Sequence, residues 1–330
     1  MSQTAERAPE RTTERRHGGS QLLGRYAVLL VLIAMIAVFS VLRPDTFFTV
    51  GNFTSLANSQ AVLLILSLAL IFPLSVGEFD LSIAANLGFG AILLGFLNGE
   101  AHLPLGLSVV IVLIVGAIAG AVNGFFIVRL GVNAFIVTLG TGTVLTGLTI
   151  WVSNGQILSG IDPALSNAIT TTFGGLAIPF WIAVLLVFAI WYLYEFTPLG
   201  RYLTFIGLGP EVARLAGLPV ARLRFGAFVV AGFLAAGCGI LAVGLLGSAD
   251  PSASAAYLLP AYAGAFLGTT VVKPGRFNAW GTVIAAALLV VGVTGLQLLG
   301  AAGWVEQVFN GAALVVAVTF ARLVSQRKRT

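Results

Sequence analysis

An all-α polytopic membrane protein of about ten transmembrane helices, with both termini cytoplasmic, is the fold class this sequence predicts. Three observations carry the prediction. Of 330 residues, 58% are hydrophobic and 9% charged, with a mean hydropathy of +1.02, a composition that excludes a water-soluble globular domain. Ten apolar runs succeed one another, and at roughly 20 residues per span they use about 200 positions, leaving the rest for loops and tails. The basic residues fall almost wholly in alternate loops.

Residues 1–24 are polar, mix both charges and carry too little apolar surface to offset the entropy of ordering them, so they read as a disordered cytoplasmic tail. Residues 26–42 are apolar but are followed by Arg43, Pro44 and Asp45 rather than by a small-residue cleavage site, which favours an uncleaved first helix over a signal peptide. Further apolar runs occupy 56–75, 81–98, 105–128, 135–151, 178–196, 225–246, 257–272, 279–299 and 305–323. The weakest is 257–272, which is short and carries Pro260. The transmembrane domain thus spans 25–324, and 325–330 form a basic cytoplasmic C-terminus.

Orientation follows from arginine and lysine, which are retained on the cytoplasmic side near helix ends. With ten spans, one side holds sixteen basic residues and the other holds Arg43 alone, beside Asp45, Glu100, Asp162, Asp250 and Glu306. The five tryptophans, Trp151, Trp181, Trp191, Trp280 and Trp304, fall near span ends, as an interfacial belt requires. A basic excess arranged in this way is a topology signal, and nucleic-acid binding is excluded as its explanation. Cys238 is the only cysteine, so no internal disulfide forms, and its apolar run makes it a packing residue.

Gly116, Gly120 and Gly124 repeat every fourth residue and mark a helix-packing face. Asn123 lies beside them and serves either as interhelical glue or as part of a solute pathway. Between the second and third runs, GEFDLS places Glu78 and Asp80 in apolar surroundings. A carboxylate at the bilayer centre costs about 2.5 to 3.5 kcal/mol on insertion scales, so both belong near an end, a partner or a wet cavity. Two readings stay open: a solvated cytoplasmic turn capping the next helix, or a broken helix lining a transport cavity, with Asn86 on the same surface. Thr138, Thr141, Thr143, Thr146 and Thr149 share one helix, with Thr138 the pathway position among them, although threonine also satisfies itself by bonding back to its own helix.

The longest internal cytoplasmic segment, 197–224, contains Pro210 suited to a first helical position, Glu211 at the positive helix end, and Gly217 with Pro219 as stop signals. A helix of about two turns is marginal alone and needs a surface to dock on, offering Val212, Leu215 and Ala216. Its partner is its own bundle, the lipid headgroups or a separate cytoplasmic protein.

In order along the chain, GEFDLS, NGFFIVRLGVNAFIVTLGT with Gly147, TPLGR, IGLGPEVARLAGLPV and LGTTVVKPGRFNAWGT resemble the permease subunits of ribose/xylose-type ATP-binding cassette importers. The resemblance runs from about residue 50 to 323 and implies about ten helices per subunit, with two subunits, identical or different, forming the pathway. It implies that 197–224 contacts the ATPase, through Thr197, Gly200, Arg201, Gly207, Glu211, Arg214 and Gly217, with Ile206, Ala213 and Leu215 also matching. Gly209 stands where the family has asparagine and Val212 where it has alanine. In the last motif, Thr269, Pro274 and Phe277 replace glycines. YLLPAYAG at 257–264 departs further, because the family places an acidic pair there.

The resemblance implies import of a monosaccharide or related polyol across a bacterial cytoplasmic (inner) membrane by alternating access. Its partners would be a cytoplasmic ATPase, a second permease subunit and an extracytoplasmic solute-binding protein touching the loops around Asp162 and Asp250. This chain lacks a G-x-x-x-x-G-K-[ST] loop, so ATP and magnesium are expected on the partner, with no cofactor of its own. His17 and His102 are too few for a histidine metal cluster, and no catalytic set is apparent. The alternative reading is a secondary transporter driven by an ion gradient, which needs ionisable groups inside the membrane.

Overall fold

The structure is a computed structural model and describes residues 18–327. Most of the expected N-terminal tail, residues 1–17, and the last three residues of the basic C-terminus lie outside the described residues. Helix α1 (Gly18–Leu42) opens the described chain, ahead of the apolar run itself. The second run divides into α2 (Val50–Ser59) and α3 (Ala61–Ser75), bent by 45° across Gln60. Thr49 caps α2 by accepting the Asn52 N–H at 3.1 Å. α4 (Ile83–Leu94) and α5 (Leu105–Gly124) each end in a π-helical turn, at Gly95–Glu100 and Phe125–Arg129.

After α6 (Ala134–Ser153) come a short α7 (Pro163–Thr170) and a hairpin of β1 (Thr172–Phe173) and β2 (Leu176–Ala177). α8 (Ile178–Phe196) leads into α9 (Pro198–Leu208) and α10 (Pro210–Leu215), and then into α11 (Val220–Leu246). A 3-10 turn at Ala253–Tyr257 precedes α12 (Leu258–Gly268), followed by α13 (Ala279–Leu298) and α14 (Trp304–Arg327). Among the described residues, six helices are individually long and apolar enough to cross a membrane, and α2–α3 makes a seventh if it is one bent span. The apolar parts of α1, α12 and α14 are shorter.

Burial sorts these helices into centre and periphery. Every residue of α3 except Leu64 is buried, consistent with a helix that is apolar all round. α3 packs with α11, α12 and α8, and α11 also lies along α4 and α5. α5, α6 and α8 instead present apolar side chains outward, such as Ile114, Ile136 and Leu185, which suits contact with lipid.

Loop contacts define two ends. At one, the α3–α4 turn meets α9 and the start of α11 through Gly207 and Arg224, while Glu195 of α8 pairs with Lys273 of the α12–α13 turn. At the other, the Asp162 N–H donates to Asn98 Oδ1 at 2.7 Å, the Ala177 N–H donates to Asn58 Oδ1 at 2.8 Å, and Leu158 pairs with Ala249.

Candidate functional site

The 197–217 segment is built to sit on the bundle and face away from it. Thr197 caps α9, accepting the Gly200 N–H at 3.4 Å while its hydroxyl donates to the Leu193 carbonyl at 2.6 Å. A side chain at Gly200 would overlap the Leu193 and Tyr194 backbone, so the turn from α8 into α9 closes only with glycine. Leu203, Ile206 and Ala213 are buried. Gly207 rests on the Ser75 carbonyl at the end of α3, leaving no room for a Cβ. Gly217, at φ +81°, ends the segment in the left-handed region.

The contact with the bundle uses a different side chain from the three that α10 offers for docking. Ala213 seats α10, whereas Val212 and Leu215 are 59% and 89% exposed and Ala216 is exposed as well. With α9 already anchored, the six-residue α10 needs only a small contact, and its larger apolar side chains are left outward. Beside them Arg201 is exposed, and Arg214 pairs with Glu211 at 3.5 Å across an exposed turn. Exposed pairs of this kind contribute roughly 0–1 kcal/mol, so their charges remain available to another surface.

The polar residues of the α3–α4 region fall into two sets. Asp80, Asn123 and Thr138 converge, linked by Ser82 and the backbone. The Asp80 carboxylate accepts the Ser82 hydroxyl at 2.5 Å and the Ser82 N–H at 3.0 Å, and Asn123 donates to Ser82 Oγ at 2.8 Å. Thr138 accepts the Leu81 N–H at 3.0 Å, and Tyr262 accepts the Asp80 N–H at 3.0 Å. Asp80 is 2% exposed, and burial pushes its carboxyl up to about 6 although both Ser82 bonds oppose the shift.

Glu78 points elsewhere and pairs with Arg224 at the start of α11. Asn86 lies deeper, donating to the Gly116 carbonyl at 3.2 Å and the Gly232 carbonyl at 3.1 Å, so that one amide spans α4, α5 and α11. Gly116, Gly120 and Gly124 face Gly232, Phe228 and Phe225 of α11 without space for side chains. Along α6, Thr138, Thr143, Thr146 and Thr149 each donate to the carbonyl four residues earlier.

At the opposite end, Gly51, Thr54, Ser55, Asn58, Ser59, Ala242, Leu245, Leu246 and Tyr257 line a groove of about 530 Å³. Its polar lining is hydroxyl and amide, with no carboxylate or cation. Asp162 caps α7, and Asp250 accepts from the Ser252 N–H and hydroxyl, bonds that hold its carboxyl below the usual range.

The sequence reading did not single out Ser82, Glu195, Arg224, Tyr262 or Asn278. Glu195 and Lys273 were the detectable pair, each an isolated charge at the edge of an apolar run. Tyr262 and Asn278 left no signal, because their partners are backbone groups distant in the chain or specific to one turn.

A family model described as the permease component of the branched-chain amino acid transport system matches residues 52–318. The ribose import permease protein RbsC of Haemophilus influenzae is 30% identical over 305 residues, covering 90% of this chain and 94% of its own length. The autoinducer 2 import system permease protein LsrD of Photorhabdus laumondii is 30% identical over 300 residues, 89% of each chain. The D-allose transport system permease protein AlsC of Escherichia coli is 25% identical over 302 residues, 92% of this chain and 93% of its own.

Proposed function

The chain belongs to the family of branched-chain amino acid transport system permease components, and from that premise we propose that it carries a neutral monosaccharide or related polyol inward through a bacterial cytoplasmic membrane. It is a multi-pass permease subunit of an ATP-binding cassette importer. Power comes from a separate ATPase that binds ATP and magnesium, solute from an extracytoplasmic binding protein, and the pathway from two permease subunits. The observation that carries the reading is the α9–α10 segment, clamped on the α3–α4 turn by Gly207 while Val212, Leu215, Glu211 and Arg214 face outward. ATP-driven movement of the partner presses this segment and reorients the bundle.

Ten spans and cytoplasmic termini remain our reading of the topology. Met35 approaches Gly292 and Phe39 approaches Gly295, which aligns α1 with α13 and brings Gly18 toward the end that holds Arg224 and Lys273. The solute class is supported by the names of the relatives, which specify ribose, autoinducer 2 and D-allose. The groove at the other end agrees: its lining side chains carry no charge, and sugar hydroxyls match Ser55, Asn58 and Tyr257.

The test is reconstitution into vesicles with the partner ATPase and binding protein, offering labelled ribose, allose and leucine. The expected result is ATP-dependent uptake of a sugar and none of leucine. Uptake driven by an ion gradient without the ATPase would overturn the assignment.

A further inference from the structure

The 197–217 segment is tied to the membrane bundle at both of its ends by ion pairs. Two residues before it, Glu195 meets Lys273 of the α12–α13 turn with both carboxylate oxygens. Seven residues after it, Arg224 meets Glu78 of the α3–α4 turn. The two turns so reached are themselves joined: Asp80 N–H donates to Tyr262 of α12 at 3.0 Å, and the Phe79 ring stacks on Tyr262 and Phe266 at 6.3 and 6.0 Å. The contacts therefore close a ring: segment, Lys273, α12, Tyr262, α3–α4 turn, Glu78, Arg224, segment.

We propose that Glu195–Lys273 and Glu78–Arg224 are the struts through which movement of the 197–217 segment is delivered to the α12–α13 and α3–α4 turns. Glu78 is then a positioning residue for coupling rather than a group lining the solute path. Two features suit the pairs to this work. Side-chain exposure is 16% for Glu78, 20% for Arg224, 27% for Glu195 and 41% for Lys273, so they are screened less than the open Glu211–Arg214 pair at 76% and 63%. Both bridge distant elements, 146 and 78 residues apart in sequence, where a local helix pair would transmit nothing.

The receiving turn beyond Lys273 is also stiff. Asn278 Nδ2 donates to the carbonyls of Gly268, Val271 and Arg276 at 3.1 to 3.3 Å, and its Oδ1 accepts the Gly281 N–H at 2.7 Å. A pull on Lys273 therefore moves the end of α12 and the start of α13 together. On the other side, the α3–α4 turn is held by the Asp80–Ser82–Asn123 chain, so displacement of Glu78 carries into α4 and α5.

The proposal rests on the coupling role given to 197–217, and two readouts on the reconstituted complex separate it from that role. One is solute moved per ATP hydrolysed, with labelled ribose and allose as probes. The other needs no solute: the ATP-dependent change in labelling rate of a cysteine placed at Arg276, an exposed position in the α12–α13 turn. Like charges brought together at a contact cost several kcal/mol, so Glu78→Arg, Arg224→Glu, Glu195→Lys and Lys273→Glu should each lower the ratio at least about tenfold and abolish the labelling change. The exchanged pairs Glu78→Arg/Arg224→Glu and Glu195→Lys/Lys273→Glu should recover both. Where a reversal prevents assembly, Glu78→Gln and Lys273→Gln are read instead, with smaller losses of the same kind. Retention of both readouts in the single variants overturns the proposal, as does an exchange that restores thermal stability but neither readout, or a position 276 whose labelling ignores ATP when all four paired residues are native.

Discussion

Asp80 is the residue at which burial and chemistry pull hardest against each other. Its carboxyl is raised to about 6 from 3.8, so the folded protein holds the proton more tightly than the unfolded chain. The resulting stability is fully present below pH 3.8 and is lost as pH rises through 6, by about 3 kcal/mol in all. Asp80→Asn keeps an oxygen for the Ser82 donors and removes the titration. Thermal midpoints measured from pH 4 to 7 should therefore fall in the wild type relative to Asp80→Asn, and parallel curves would refute the burial assignment.

Gly207 gives a second residue-scale expectation. Gly207→Ala forces a Cβ onto the Ser75 carbonyl, and overpacking of this kind costs roughly 1–3 kcal/mol and displaces α9. ATP-dependent uptake should drop sharply while membrane insertion persists. At this scale the sequence exposed the anomaly of two carboxylates in GEFDLS but not their separation, since Arg224 and Ser82 are neighbours only after folding.

Between elements, the contact of α5 with α11 is a backbone-to-backbone approach. Gly120→Leu would drive a side chain into the Phe228 carbonyl and should abolish assembly, read as loss of a monodisperse detergent-solubilised peak. Gly147→Ala is the control: nothing lies within 4 Å of a Cβ there, and gaining helix propensity should leave stability equal or higher by up to about 1 kcal/mol. Equal damage from both substitutions would remove the close-packing account.

Long apolar helices were legible in the sequence because their signal is composition sustained over a span. α9 was not, because PLGRYLTFIGL alternates anchoring and outward residues too briefly to stand out. α10 was placed from Pro210 and Gly217; its seat on the bundle is Ala213, which left no signal, and Val212, Leu215 and Ala216 stay outward for one of the other surfaces the sequence left open.

Across the whole molecule, the turns bearing Arg224 and Lys273 share an end with α9–α10, and the uncharged groove occupies the other. In the sequence, charge asymmetry assigns Arg224 and Lys273 to one side from the loops alone, since orientation is set by basic residues near span ends. Ring closure between the two ends of 197–217 was invisible there, because it depends on contacts 78 to 182 residues apart.

The central claim is that a cytoplasmic ATPase drives this chain through the outward side of α10. Cross-linking from a cysteine at Leu215, with one at Asp162 as reference, tests it most directly in the working complex, since Cys238 is fully buried and leaves a quiet background. The account predicts a nucleotide-sensitive adduct between position 215 and the ATPase, and none from position 162. Position 215 labelled from the extracytoplasmic side, or free of the ATPase in a complex that transports, would contradict it.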